Sequence, residues 1–315
     1  MHHRVAHLAA SMLAGLALVG CGAGGAGDDW STATVAQGED GVTAAVVNSQ
    51  PVVGPMRLAF GLFSKEGGLV QDAKGKVRLV RIEGNRATAA GEYDLRAVTL
   101  RENSTHVHPD GLKHLHDDPV ATMYVANVEL TKPEEWGAEL LVTAGGKQYT
   151  HLRTRFFVLA QGTVPALGEA APRTKQTVLR DVASIAEIDS SNPPRPELHT
   201  LTVAEAIDTG KPSLIAFATP AFCQTRFCGP AVDDVVVPLA KQYAGRANFV
   251  HIEPYNLADA RKGKLVPIPQ LEEWGLASEP YLFVLDGKGR VAATFEGIAE
   301  RDEVAAALDA VLAGR

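Results

Sequence analysis

The 315-residue chain has the composition of a folded protein with an acidic balance. Hydrophobic residues make up 46% of the chain, charged residues make up 21%, and the net charge at pH 7 is −7. This length is enough for about two domains, each with its own hydrophobic core. The acidic balance excludes the basic surface that nucleic-acid binding requires. No apolar run after the N-terminal one is long enough to cross a membrane as a helix.

The first 20 residues follow the order of an export signal. Arg4 precedes an apolar stretch, 8–19, that is too short to span a bilayer. The stretch ends in Leu-Val-Gly-Cys at 18–21, which resembles the lipobox of bacterial lipoproteins. The resemblance implies a signal peptide at 1–20, a lipid anchor on Cys21 and a position on the extracytoplasmic side of the cell membrane. The alternative is an ordinary signal peptide with an incidental cysteine.

The middle of the chain carries the pattern of an all-β domain. After a glycine-rich flexible spacer at 21–48, short apolar or alternating runs are separated by turn residues, with no amphipathic helix between them. This pattern predicts an immunoglobulin-like sandwich over 49–160. A proline-rich linker follows at 161–197. The predicted strands are 56–63, 76–82, 93–100, 122–130, 138–143 and 153–159.

Strands and helices alternate over the last part of the chain, 198–315. A short helix, a buried strand, a longer helix and a second strand are followed by two strands and a final amphipathic helix. The turn at 286–289, Asp-Gly-Lys-Gly, joins the last two strands as a hairpin. The predicted helices are 203–208, 231–243 and 301–312, and the predicted strands are 213–218, 248–252, 281–285 and 291–295.

Three segments of this part resemble thioredoxins. The strand 214–217, followed by Phe222 and Cys223, resembles the strand that delivers the active-site cysteine to a helix. The segment 239–246 resembles the end of that helix. Trp274-Gly275-Leu276 and Glu279-Pro280, directly before a strand, resemble the segment that carries a cis-proline facing the active site. The resemblance implies an α/β thioredoxin-like domain with a central mixed sheet flanked by helices, and a role for Pro280 beside the cysteines.

The spacing of the two cysteines departs from that family. Thioredoxins have two residues between their cysteines, whereas Cys223 and Cys228 are separated by four. In a regular helix, residues five apart lie about 8.7 Å apart at Cα, and a disulfide needs roughly 4.4 to 6.8 Å. Cys223 is therefore expected in a loop before the helix, or the first turn must be distorted. Gly229-Pro230 favours the loop, because proline suits the first position of a helix.

The positions of the cysteines predict their roles. Cys223 follows the strand and lies near the start of the helix, where backbone N–H groups stabilise a thiolate, with Phe222 beside it and Arg226 adding positive charge. We expect Cys223 to be the nucleophile and Cys228 the resolving thiol. A competing alignment remains, because Phe-Cys-Gly-Pro-Ala at 227–231 resembles Trp-Cys-Gly-Pro-Cys and would make Cys228 the nucleophile.

Other interpretations of the pair stay open. An exported protein with two cysteines can hold a purely structural disulfide. The string Thr-Pro-Ala-Phe-Cys at 219–223 resembles the peroxiredoxin motif with one extra residue. Sco-type copper chaperones use two cysteines and a histidine on the same fold, but with three residues between the cysteines. Thiolates select Cu(I), so a copper-binding lipoprotein is the alternative function.

A second group of potential ligands lies in the β-rich part. Each His-x-His pair places two rings on one face of an extended segment, and a turn at Pro-Asp-Gly, 109–111, would bring the pairs together. Imidazole clusters suit copper or zinc, although an exposed polar loop explains the pattern equally well. His199 and His251 stand alone in the sequence and are interpreted as structural. The four predicted ligands are His106, His108, His114 and His116.

Together these patterns predict a membrane-anchored, extracytoplasmic thiol–disulfide oxidoreductase of the cell envelope. Cys223 would attack a disulfide and Cys228 would resolve the mixed disulfide. The expected partners are protein thiols and disulfides and a redox partner, and the chemistry requires no cofactor. The β-rich domain would serve as a spacer or a docking module.

Overall fold

The structure is a computed structural model that describes residue 30 and residues 36–84, 86–107, 113–223, 225 and 227–314. Of 36–37, 102–107 and 113–120 it describes the backbone. Among the described residues, no helix has the length and apolarity needed to cross a membrane. The predicted lipidation site, Cys21, lies outside the described residues.

The N-terminal half is a single antiparallel sheet of eight strands in the order β1-β8-β7-β4-β5-β6-β3-β2. The strands β5 and β6 form a long hairpin that extends well beyond its neighbours. The bounds are β1 Ala36–Gln37, β2 Thr43–Val46, β3 Gly54–Phe63, β4 Lys74–Glu83, β5 Arg86–Val107, β6 Lys113–Leu130, β7 Glu135–Ala144 and β8 Lys147–Phe157.

This arrangement differs from the predicted immunoglobulin-like sandwich, which would need two facing sheets. One sheet curls until side chains from its two ends, such as Ala44 of β2 and Leu152 of β8, share one core around Trp136. Register shifts in β4–β5, β5–β6 and β7–β8 accompany the curl, because bulges increase strand twist. The alternating pattern predicts the positions of β3 to β8 but does not say which strands share a sheet.

The sheet begins earlier than the sequence predicts. Strands β1 and β2 lie within 21–48, the segment interpreted as a spacer, and Trp30 is buried. Asn48 continues this packing, since its Oδ1 accepts a hydrogen bond of 2.7 Å from the Ala59 N–H. The polar, glycine-rich start of the spacer hides the short strands because two to four residues carry little periodic signal.

The C-terminal region contains a four-stranded mixed sheet in the order β10-β9-β11-β12. Strand β10 is parallel to β9, and β11 is antiparallel to both of its neighbours. The predicted order of strands and helices is confirmed. The strands are β9 Ser213–Phe217, β10 Asn248–Ile252, β11 Tyr281–Leu285 and β12 Val291–Glu296, and the helices are α1 Val203–Asp208, α2 Cys228–Pro230, α3 Val237–Gln242, α4 Leu257–Ala260, α5 Pro269–Glu273 and α6 Arg301–Leu312.

Helices α2 and α3 are parts of one continuous helix that carries Cys228 at its start. A π-helical segment, Ala231–Val236, connects them. The Val237 N–H donates to the Val232 carbonyl, five residues back. Pro238 has no N–H to donate and so favours irregular hydrogen bonding at this point. One face of this helix packs into a core on one side of the mixed sheet.

The linker packs against the C-terminal region. Thr174 accepts a hydrogen bond from the Trp274 indole and donates one to Glu273, both at 2.7 Å. Thr163 donates to the Gly275 carbonyl at 2.8 Å. Three short 3₁₀ turns complete the linker, at Leu179–Asp181, Ile185–Glu187 and Pro196–Leu198.

The outer face of the eight-stranded sheet contacts the C-terminal region. Val98, Leu100 and Met123 form an apolar cluster with Ile298. At its edge the Arg57 guanidinium makes two hydrogen bonds to the Glu303 carboxylate, at 2.8 and 3.0 Å. Paired donors on one carboxylate fix geometry as well as adding energy, so this ion pair orients α6 against the sheet.

We predict that Gly275→Ala destabilises the protein more than Gly245→Ala. Both glycines have positive φ, +63° and +74°, but only at Gly275 would an added Cβ meet another group, the Thr163 carbonyl oxygen at 2.2 Å. The backbone strain costs about 1–2 kcal/mol in both variants, and the clash adds roughly 1–3 kcal/mol at Gly275. Urea unfolding of both variants measures the difference. Equal losses of stability would show that the linker does not constrain this position.

Candidate functional site

The two cysteines lie at the end of the fully buried strand β9, one in a loop and one in a helix. Cys223 is half-buried in the loop after β9, whereas Cys228 opens α2 and is 0% exposed. The expectation that Cys223 precedes the helix is confirmed. The helix begins at Cys228, one residue before Gly229, so the two cysteines do not have to lie on the same regular helix.

Two hydrogen-bonding groups lie next to the sulfur of Cys223. The Cys228 N–H donates to Cys223 Sγ at 3.3 Å, and the Thr225 hydroxyl lies 3.2 Å from the same sulfur. The Cys228 N–H belongs to the first turn of the helix, where backbone donors have no partner within the helix. The arrangement therefore favours a thiolate at Cys223.

The two thiols have opposite shifts in acidity. A hydrogen bond from the Cys228 side chain lowers the pKa of Cys223 to about 5, against burial, and Thr225 and the Cys228 N–H add to the effect. The same hydrogen bond, burial and the Cys223 charge raise the pKa of Cys228 far above its ordinary value. These shifts favour a thiolate at Cys223 and a protonated thiol at Cys228.

A carboxyl group lies beside the pair. One oxygen of Glu279 and the two sulfurs are all within 4.8 Å of one another. Burial raises the pKa of Glu279, the charge of Cys223 raises it further, and a 3.0 Å hydrogen bond from the Tyr255 hydroxyl opposes both. The peptide bond between Glu279 and Pro280 is cis, as expected.

Sequence reasoning missed Glu279 and Tyr255. The signal available for Glu279 was its place directly before the proline that the thioredoxin resemblance puts at the active site. Tyr255 carried no signal, because it lies in the segment after β10 and reaches the site only through the fold. Both residues matter because the half-buried carboxyl group of Glu279, whose pKa is raised, is placed to accept a proton from a thiol.

The residues predicted to support the cysteines have different positions. Phe222 is half-buried, and its N–H donates to the Thr219 carbonyl at 3.2 Å. Arg226 lies outside the described residues. Phe227 instead contacts the apolar cluster on the outer face of the eight-stranded sheet. The sheet therefore reaches the residue directly before Cys228.

The predicted histidine cluster lies at the end of the β5–β6 hairpin. In the backbone register His106 is opposite His114, and His116 is opposite Ser104. His108 and the turn 108–112 lie outside the described residues, as do the histidine side chains. Metal binding at this cluster stays a prediction.

Comparisons with known proteins give a partial likeness to solved structures. No family model matches the chain, and no curated protein matches it. One similar solved structure is a thioredoxin-family thiol:disulfide interchange protein from Chlorobium tepidum TLS, with 18% identity and a TM-score of 0.27. The match covers 40% of this chain and 92% of that protein.

We predict that Cys228→Ala raises the pKa of Cys223 from about 5 toward the ordinary thiol value of about 8.5. The substitution removes the side-chain donor that lowers the pKa most. The thiolate fraction at pH 7 should fall, which is measured by the pH dependence of Cys223 alkylation, followed by peptide mass spectrometry. Cys228→Ser keeps a hydroxyl donor and should shift the pKa less. An unchanged alkylation profile in Cys228→Ala would contradict the assigned cause.

Proposed function

We propose that the protein is a thiol–disulfide oxidoreductase in which Cys223 is the nucleophile and Cys228 the resolving thiol. The observation that supports this most directly is the opposite acidity of two hydrogen-bonded thiols, one half-exposed and one buried. A nucleophile must be accessible and ionised, whereas a resolving thiol is best kept protonated until a mixed disulfide forms. The same contrast favours Cys223 over Cys228 in the competing alignment.

The proposed reaction has two steps. The Cys223 thiolate attacks a substrate disulfide, forms a mixed disulfide and releases one substrate thiolate. Cys228 then loses its proton, attacks Cys223 Sγ and forms the Cys223–Cys228 disulfide, releasing the second substrate thiolate. The substrate gains two electrons and the protein loses two, and the reverse sequence oxidises a substrate dithiol.

Glu279 is the proposed proton acceptor for the second step. Once Cys223 is in a mixed disulfide, its negative charge no longer stabilises the Cys228 proton or repels the Glu279 carboxylate. One oxygen of Glu279 lies within 4.8 Å of Cys228 Sγ, which is close enough for proton transfer through one water molecule. The Tyr255 hydroxyl donates a 3.0 Å hydrogen bond to Glu279 Oε2 and holds the carboxyl group in place.

The location follows from the N-terminal sequence. We propose that Cys21 carries a lipid that anchors the protein on the extracytoplasmic side of the membrane, where disulfides persist. The partners would be envelope proteins with thiols or disulfides and a redox partner that restores the pair. The eight-stranded sheet would hold the redox region away from the anchor and offer a surface for docking.

Copper binding is the second candidate function, and one observation favours it. Two thiols and a carboxylate converge within 4.8 Å, and thiolates select Cu(I). Among the described residues, however, no histidine belongs to that group, and His251 lies in a different one. Stoichiometric Cu(I) binding without disulfide turnover would favour the carrier over the oxidoreductase.

We predict that Cys228→Ser traps a mixed disulfide. Incubated with oxidised glutathione, this variant should accumulate one glutathione on Cys223, because no thiol remains to resolve the adduct. The unsubstituted protein should instead form the Cys223–Cys228 disulfide, and Cys223→Ser should do neither. Intact-protein mass spectrometry distinguishes the three outcomes. Glutathione on Cys228 in the Cys223→Ser variant, at the rate seen for Cys223, would reverse the assigned roles.

We predict that Glu279→Gln slows the second step and leaves the first unchanged. An amide cannot accept the Cys228 proton, so resolution should fall about 100-fold, and the mixed disulfide should become visible by rapid acid quench. Tyr255→Phe keeps the carboxylate and should have a smaller effect. The unchanged first step serves as the control for folding. Resolution at the original rate in Glu279→Gln would remove Glu279 from the mechanism.

A further inference from the structure

We propose that Asp189, His199 and His251 form a buried binding site for a divalent transition metal, with zinc as the ion that fits best. One ligand atom from each residue lies within 4.8 Å of the other two, and all three residues are buried. The proposal does not depend on the redox function. The site shares no residue with the cysteine group, which has its own three ligand atoms.

The two histidines point unpartnered nitrogens at the carboxylate. His199 Nε2 is 3.5 Å from one Asp189 oxygen, and His251 Nδ1 is 3.9 Å from the other. Neither nitrogen has a hydrogen-bond partner, although both are buried. A buried polar atom without a partner costs about 1–3 kcal/mol of stability. The cluster contains two such nitrogens, and both lie beside the Asp189 carboxylate.

The hydrogen bond on the far side of His251 fixes its tautomer. His251 Nε2 lies 2.9 Å from the Ala218 carbonyl oxygen. A carbonyl can only accept, so Nε2 carries the hydrogen, and in the neutral ring Nδ1 presents a lone pair to the Asp189 carboxylate. Two electron-rich atoms then face each other in a buried space. A metal ion between them turns this repulsion into coordination, and a backbone carbonyl on the other ring nitrogen is the usual support of a metal-bound histidine.

The distances match metal coordination better than hydrogen bonding. Two bonds of about 2.0–2.2 Å to one ion place the ligand atoms roughly 3 to 4 Å apart, which includes both 3.5 Å and 3.9 Å. Hydrogen bonds need about 2.7–3.2 Å. Two imidazoles and one carboxylate suit zinc, whereas calcium and magnesium prefer oxygen alone.

The carboxylate is held in position by the backbone around it. The Ser191 N–H donates to one Asp189 oxygen at 2.8 Å, and the Arg195 N–H donates to the other at 2.6 Å. These donors orient Asp189 and favour its charged form. Each oxygen keeps further lone pairs for a metal.

Glu253, two residues after His251 and also buried, is a second carboxylate beside this group, although its oxygens are not among the ligand atoms that lie within 4.8 Å of one another. One of its oxygens accepts a hydrogen bond of 2.7 Å from the Ser190 N–H, and the other, Oε2, is buried without a partner. A water molecule would complete four-coordinate zinc.

The test uses the full chain with Cys223→Ser and Cys228→Ser, so that the thiols cannot hold the metal. The hairpin histidines His106, His108, His114 and His116 are changed to Gln in the same background. This protein is produced in zinc-supplemented medium, and its zinc content is measured by inductively coupled plasma mass spectrometry. We expect one zinc per chain, and loss of the zinc when Asp189→Asn or His199→Gln is added. His151→Gln, which changes an exposed histidine, should retain the metal.

Thermal unfolding keeps the test valid if a variant folds poorly. Removing zinc from the unsubstituted cluster with a chelator should lower the melting temperature, and added zinc should restore it. Two results would overturn the proposal. One is a background level of zinc in the protein that lacks the cysteines and hairpin histidines. The other is zinc retained in both Asp189→Asn and His199→Gln.

Discussion

The hydrogen-bonded contact between Cys223 and Cys228 is the constraint on which the rest of the site depends. Cys228 follows Cys223 by five positions, a spacing at which a regular helix would hold the two Cα atoms too far apart for a disulfide. The chain meets this constraint by starting α2 at Cys228 and leaving Cys223 in the loop after β9. Cys223 Sγ therefore accepts a hydrogen bond from the Cys228 N–H at the start of the helix, and Cys228 itself is buried in the hydrophobic core. The unequal acidity of the two thiols follows from this geometry.

The eight-stranded sheet packs against the start of the helix that carries Cys228. Phe227, directly before Cys228, contacts an apolar cluster that the outer face of the sheet shares with Ile298. The Arg57–Glu303 ion pair lies at the edge of this contact and is itself largely buried. A largely buried ion pair with two hydrogen bonds holds its geometry more firmly than an exposed ion pair does. The sheet is therefore part of the environment of the redox pair as well as a separate fold unit.

The sequence predicts the local elements well and the long-range groupings poorly. The strands 248–252 and 281–285, the helix 301–312 and the loop position of Cys223 all follow from periodicity, turn residues and helix geometry, and the structure confirms them. The single curled sheet was missed because strand pairing depends on contacts far apart in the chain. Glu279 and Tyr255 meet at the cysteines for the same reason. Asp189 and His251 carry no signal until the linker packs beside β10.

Adjacent residues contact both the Asp189–His199–His251 cluster and the cysteine pair. The Ala218 carbonyl lies 2.9 Å from His251 Nε2, and the backbone N–H of Thr219 acts on the Cys228 thiol. Arg195, whose N–H holds Asp189, also makes a 2.7 Å ion pair with Asp233 on the helix that begins at Cys228. The loop after β9 and the helix that begins at Cys228 therefore contribute to holding both groups, so the positions of the two groups depend on the same elements.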